Sequence, residues 1–132
     1  MTQQQFSGIW HSTYWFPSNN HDGEDTSEYD LEVFQRGNKL NAESLPSAIG
    51  DHMTLNLTLD SRLATGSWLE NTSDTGEFAG MVYTGALQLI VSEDGNTLEG
   101  KWVGVGRERQ EDGAYEPQIY SGRWMMVRKA SE

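Results

Sequence analysis

Four Gly-x-Trp triplets recur in this chain, at Gly8-Ile9-Trp10, Gly66-Ser67-Trp68, Gly100-Lys101-Trp102 and Gly122-Arg123-Trp124. Indoles have much to offer a ligand: a large flat face for stacking and an N–H donor at its edge. With Tyr14 and Tyr83, the indoles Trp10, Trp68, Trp102 and Trp124 would make a stacking wall for a planar or sugar-like molecule. The competing reading is that the rings simply fill a core. It applies most strongly to Trp10, because the Gly-x-Trp of a first strand usually closes one end of a barrel. Polar residues interleave with the rings and would orient what they stack on: Ser12 and Tyr14 on the Trp10 face, then Asn41, Glu43, Ser44, Gln88 and Arg123. Any that point inward need partners, since an unsatisfied buried polar group costs about 1 to 3 kcal/mol. Arg123 would pair with Glu43 or an anionic ligand if inward, although such an arginine is more often external.

Other chemistry has weaker support. There is no cysteine nucleophile, no Gly-x-Ser-x-Gly elbow and no phosphate-cradling loop with lysine and hydroxyl. A carboxylate pair such as Glu43 with Glu70 would suit acid/base work if both faced inward and close together. His11, His21 and His52 show no zinc-site spacing, and His21-Asp22-Gly23-Glu24-Asp25 reads as a solvated acidic loop instead of a calcium loop. The expectation is therefore no catalytic residues, no metal and no cofactor.

The elements that must position these residues are strands. Apolar residues alternate at period two, as in Met53-Thr54-Leu55-Asn56-Leu57-Thr58-Leu59, and helix signals are almost absent. Turn signals divide the chain into eight strands, near Ile9 to Phe16, Glu28 to Arg36, Lys39 to Leu45, His52 to Leu59, Leu63 to Leu69, Glu77 to Val91, Thr97 to Val105 and Gln118 to Arg128. Arg36-Gly37-Asn38, Asp60-Ser61-Arg62 and Glu93-Asp94-Gly95-Asn96 supply tight hairpins, so neighbours in sequence become neighbours in the sheet. Eight such strands leave two bare edges unless they close. The expected fold is all-β, an eight-stranded antiparallel up-and-down β-barrel, with residues 1–132 as one domain and 1–5 and 129–132 as disordered tails. The longer connections, Pro17 to Ser27, Pro46 to Asp51, Asn71 to Gly76 and Arg107 to Pro117, follow strands one, three, five and seven. They fall at one end of such a barrel, which makes that end the entry for a ligand.

Composition narrows the partners. The 20 acidic against 9 basic residues give a net charge of −11, a field that repels phosphate backbones and anionic membrane surfaces. No apolar run approaches a membrane span, and the first residues lack a secretory pattern, so the expected compartment is the cytoplasm.

The opening Gly8-Ile9-Trp10, the repeated triplets and the length resemble the calycin group of lipocalins, fatty-acid-binding proteins and avidins, small barrels that bind hydrophobic or heterocyclic molecules. Tyr120-Ser121-Gly122-Arg123-Trp124 is similar to an avidin strand. Trp10-His11-Ser12-Thr13-Tyr14 departs from the avidin first strand, whose asparagine and Gly-Ser pair grip biotin, so the resemblance does not extend to biotin. Gly8 to Ser12, Glu43-Ser44-Leu45-Pro46, Ala64 to Trp68, Thr72 to Gly76, Tyr83 to Leu89 and Gly100 to Gly104 look like a bacterial module found after the helix-turn-helix of some xenobiotic-response-element-type regulators. There it serves as a sensor or interaction domain. Arg107 to Tyr120 departs from that module's usual ending. No helix-turn-helix signal is present, so the chain reads as a free-standing relative or a piece of a larger regulator.

The function expected is small-molecule binding by a sensor or carrier, through Ser12, Tyr14, Ser44, Trp68, Tyr83, Gln88, Trp102, Arg123 and Trp124. The alternatives are an oligomerisation or docking module with a filled core, and a small-barrel enzyme. Outward aromatics such as Trp15 or Tyr120 would mark a homo-oligomer interface.

Overall fold

A computed structural model describes residues 5–17, 23–46, 50–72, 82–109 and 115–129. The eight strands are β1 (Gly8–Pro17), β2 (Glu24–Arg36), β3 (Lys39–Ser44), β4 (His52–Asp60), β5 (Leu63–Asn71), β6 (Val82–Val91), β7 (Thr97–Arg109) and β8 (Tyr115–Arg128). Each pairs antiparallel with the next, and β1 pairs with β8 from Trp10↔Arg128 to Tyr14↔Trp124, closing an up-and-down barrel. Closure removes the edges that a meander would expose. The tight turn at Ser61 takes a φ of 56°, the left-handed conformation its hairpin requires.

Two connections are shorter than the sequence suggests. β2 begins at Glu24, because its polar start pairs with the end of β1 in the register Tyr14↔Ser27 to Pro17↔Glu24. β7 and β8 continue past Val105 to Arg109↔Tyr115. Backbone pairing extends both ladders through residues whose polarity reads as loop. The first five residues expected for β6, from Glu77, and His21 and Asp22 of the acidic loop lie outside the described residues, as do residues 1–4 and 130–132 of the expected tails; Glu24 and Asp25 of that loop open β2.

One end is sealed by a residue that the strand pattern misses. Phe6, upstream of β1, is buried and packs at 6.1 Å from Trp10, whose indole N–H donates to the Phe6 carbonyl at 2.8 Å. Gln35 Oε1 accepts from the Phe6 amide, and the Arg128 guanidinium lies 4.5 Å from the Trp10 ring while donating to the Gln5 carbonyl. Lys129 is held as well: its amide donates to the Ile9 carbonyl. The opposite end carries the connections after β1, β3, β5 and β7.

Candidate functional site

Residues alternate inward and outward along each strand, and the inward set forms layers from the Phe6 plug towards the loop-rich end. Trp10, Leu31, Met53, Leu55 and Leu89 are fully buried. Higher up, Tyr14 is the hub of an aromatic cluster. It stacks on Trp124 at 4.9 Å with 19° between planes and meets Trp102 edge-on at 5.8 Å. Trp68 stands at 88° to Trp102, their centroids 5.6 Å apart. These are the offset and T-shaped arrangements that aromatic quadrupoles favour.

The triplets explain how so many indoles fit. On β7 and β8 the registers Gly100↔Trp124 and Trp102↔Gly122 set each indole opposite the neighbouring strand's glycine. Trp68 is opposite Gly85, which is in turn opposite Gly104. A Cβ on Gly104 would stand 2.4 Å from Trp68 Cζ2, so the bare backbone is the seat of that ring. Gly104→Ala is expected to push the indole off its seat at a cost of about 1–3 kcal/mol. Urea denaturation followed by tryptophan emission reads both the lost stability and the displaced ring.

Glu70 is the one buried carboxylate among the described residues, and it sits next to the end of β5. Tyr14 Oη donates to its Oε1 at 2.7 Å, and the Tyr29 hydroxyl donates to its Oε2. Because β1 and β5 lie half a circuit apart in an eight-stranded ring, the Tyr14–Glu70 bond braces the barrel across its interior. Burial pushes the Glu70 carboxyl above the usual range, against the two phenol donors, which pull it down. Burial, together with the Glu70 charge, raises both tyrosines, so each remains a protonated donor.

Seven of the nine expected ligand-binding residues belong to this interior. Ser12 is buried and accepts from Trp124 Nε1 at 2.9 Å. Ser44 is buried and accepts the Met53 amide at 2.9 Å. Tyr14, Trp68, Trp102 and Trp124 are in the cluster, and half-buried Tyr83 packs against it. Gln88 and Arg123 are corrections: both are exposed on the outer wall. Gln88 lies between inward Leu87 and Leu89 and donates to Thr65 Oγ1, and Arg123 lies between inward-facing Gly122 and Trp124. Arg123 does not reach Glu43 but sits 4.5 Å over the Trp15 ring and 3.6 Å from Glu99. Glu43 is outward too, 3.5 Å from His52, so the Glu43–Glu70 pair does not form. Asn41 is likewise exposed.

Tyr29 and Glu70 are the members of the network that sequence reasoning left out of the site. The available signal was the parity of β5, which puts Glu70 on the Trp68 face. Among the described residues no group of three His, Cys, Asp or Glu could hold a metal, and no helix is long and apolar enough to cross a membrane. A groove of about 480 Å³ lies on the outer wall by Phe34, Glu43, Asp51 and His52. It adjoins the network through Ser44 and through Asp51; burial, and in smaller part the Asp51 charge, raises both Glu70 and Tyr29. No family model matches this sequence, and no curated protein is significantly similar to it.

Proposed function

We propose that the barrel binds a small organic molecule at its loop-rich end, on a floor made by Tyr14, Trp68, Trp102 and the Glu70 carboxyl, and acts as a sensor or carrier. The observation that carries this reading is where the interior meets solvent. Trp10 and Trp124 are 0 % exposed, whereas Tyr14, Tyr29, Ser44, Glu70, Trp102 and Trp68 keep 8, 7, 7, 6, 6 and 5 %. The six buried residues that keep the most belong to the layer nearest the end where loops converge, where the aromatic cluster stands beside a hydrogen-bonding carboxyl. That combination of apolar wall and a few polar groups is the usual make-up of a small-molecule site. The calycin-like resemblance points the same way.

One observation favours the filled-core reading for the layers beneath. Every inward indole N–H has a protein acceptor: Phe6 O, Val103 O, Trp15 O and Ser12 Oγ for Trp10, Trp68, Trp102 and Trp124. A ligand would therefore lie on the cluster, not between its rings. Titration with a panel of aromatic and heterocyclic compounds, read by tryptophan emission and melting temperature, tests the proposal. A binder should raise the melting point in proportion to the logarithm of its concentration. It should also lose affinity in Tyr14→Phe or Glu70→Gln. Silence across the panel would turn the assignment to the filled-core module.

A further inference from the structure

The outer wall divides into two electrostatically different halves. On β2 to β4 the outward positions carry Glu24, Glu28, Asp30, Glu32, Glu43 and Asp60. On β5 to β8 two adjacent rows carry no charge at all. One row is Ser67, Ala86, Val103 and Ser121, linked in register across four strands. Beside it lie the pairs Leu69↔Thr84 and Val105↔Ile119. All the exposed large apolar side chains among the described residues, apart from Phe34 and Leu45, are on this half, with Ile119 at 70 % and Val82 at 60 % exposed.

We infer that these acid-free rows of β5 to β8 form a self-association surface whose occupant is a second copy of the chain. Two molecules of net charge −11 repel each other over most of their surfaces. They can meet closely only where neither presents acids, and these rows are that place. Short residues in the central row let two sheets approach, and the branched residues beside it supply apolar area to bury. Four strands at about 4.8 Å spacing and two outward rows ~6.7 Å apart give about 260 Å² in projection; the flanking row of Thr65, Gln88, Lys101 and Arg123 and the pair Asn71↔Val82, none of them acidic, extend the face to on the order of 500 Å². Side-chain relief brings this towards the ~800 Å² that each partner of a standard interface buries. A basic partner would instead be drawn to the acidic half. The exposed aromatics expected to mark an interface do not do so: Trp15 is only partly exposed and is covered by Arg123, and Tyr120 packs against the core.

The test is sedimentation velocity over a concentration series for the whole chain and three variants. The native protein should sediment as a dimer. Val103→Glu and, independently, Val105→Glu should weaken dimerisation by at least roughly a hundredfold, since each two-fold contact would then bury unpaired carboxylates. Both positions point to solvent in one subunit, so cooperative melting should survive and separate dissociation from misfolding. Phe34→Glu, an equally drastic change on the acidic half, should leave the dimer intact. Dimerisation should also strengthen as salt rises from about 50 to about 300 mM, because screening relieves the net repulsion. A monomer at all concentrations would overturn the inference. So would a dimer that resists both valine variants, one that Phe34→Glu dissociates, or one that salt weakens.

Discussion

Trp124→Ala is expected to cost about 3–5 kcal/mol, the range for removing a fully buried large aromatic. For a chain of this length that corresponds to a fall of roughly 10–20 °C in melting temperature. The loss has three sources. The indole is 0 % exposed, so its whole apolar area is forfeited. Tyr14 loses the ring stacked on it at 4.9 Å. Ser12, buried beneath, loses the N–H that its hydroxyl accepts. Arg123→Ala, one residue away, is expected to cost less than about 1 kcal/mol, because Arg123 makes only exposed contacts, with Glu99 and the Trp15 ring. Equilibrium urea denaturation of the two variants checks the contrast. Similar losses at both positions would mean that β8 is turned the other way.

That contrast was only half legible in the sequence. Period-two alternation in β4 and the glycine-bearing hairpins were enough for eight strands, their order and their closure. The ends of the strands were not legible: Glu24 to Ser27 and Arg107 to Arg109 look like loop because side-chain polarity says nothing about a backbone ladder that a neighbouring strand extends. The inner face was ambiguous on β1 and β8, where both faces carry aromatic or apolar residues, and only the closing register Tyr14↔Trp124 puts Tyr14 and Trp124 on the same wall. Reading Gly122-Arg123-Trp124 with its antiparallel mate Gly100-Lys101-Trp102 removes the ambiguity. A Cβ on Gly122 would stand 2.8 Å from Trp102 Nε1, and direct pairing puts Gly100 and Trp124 on that same face, so all four face inward and the intervening Lys101 and Arg123 outward. Glu70 stayed hidden for a different reason. Its partners Tyr14 and Tyr29 lie 56 and 41 residues away in sequence, and no local pattern announces a bond across a barrel.

The same bond makes Glu70 the second position of large effect. Glu70→Leu leaves two buried phenol hydroxyls without their acceptor, at about 1–3 kcal/mol each. Sparing the burial of a carboxyl offsets part of that, so the expected net loss is about 2–4 kcal/mol. Glu70→Gln keeps an acceptor for one phenol and offers an N–H to the other, so it should retain most of the brace. Its value lies in the pH dependence. The folded-state pKa of Glu70 is raised above its unfolded value of 4.5, so the folded chain holds that proton more tightly. The stability it contributes is fully present below pH 4.5 and is lost as pH rises through the folded-state value. His11, raised by its hydrogen bond to Asp30 and then by Glu28, changes with the same sign. Asp30, lowered by His11 and Lys129, changes with the opposite sign. Both are untouched in the variant and cancel in a difference. The stability of Glu70→Gln minus that of the native chain, from urea denaturation at a series of pH values, should therefore climb from pH 4.5 upward and level off once the buried carboxyl has ionised. A flat difference would mean that Glu70 titrates as it does in the unfolded chain. Either the two phenol hydrogen bonds would then offset burial in full, or the carboxyl would reach water, and the size of the Glu70→Leu loss separates a closed brace from an open one.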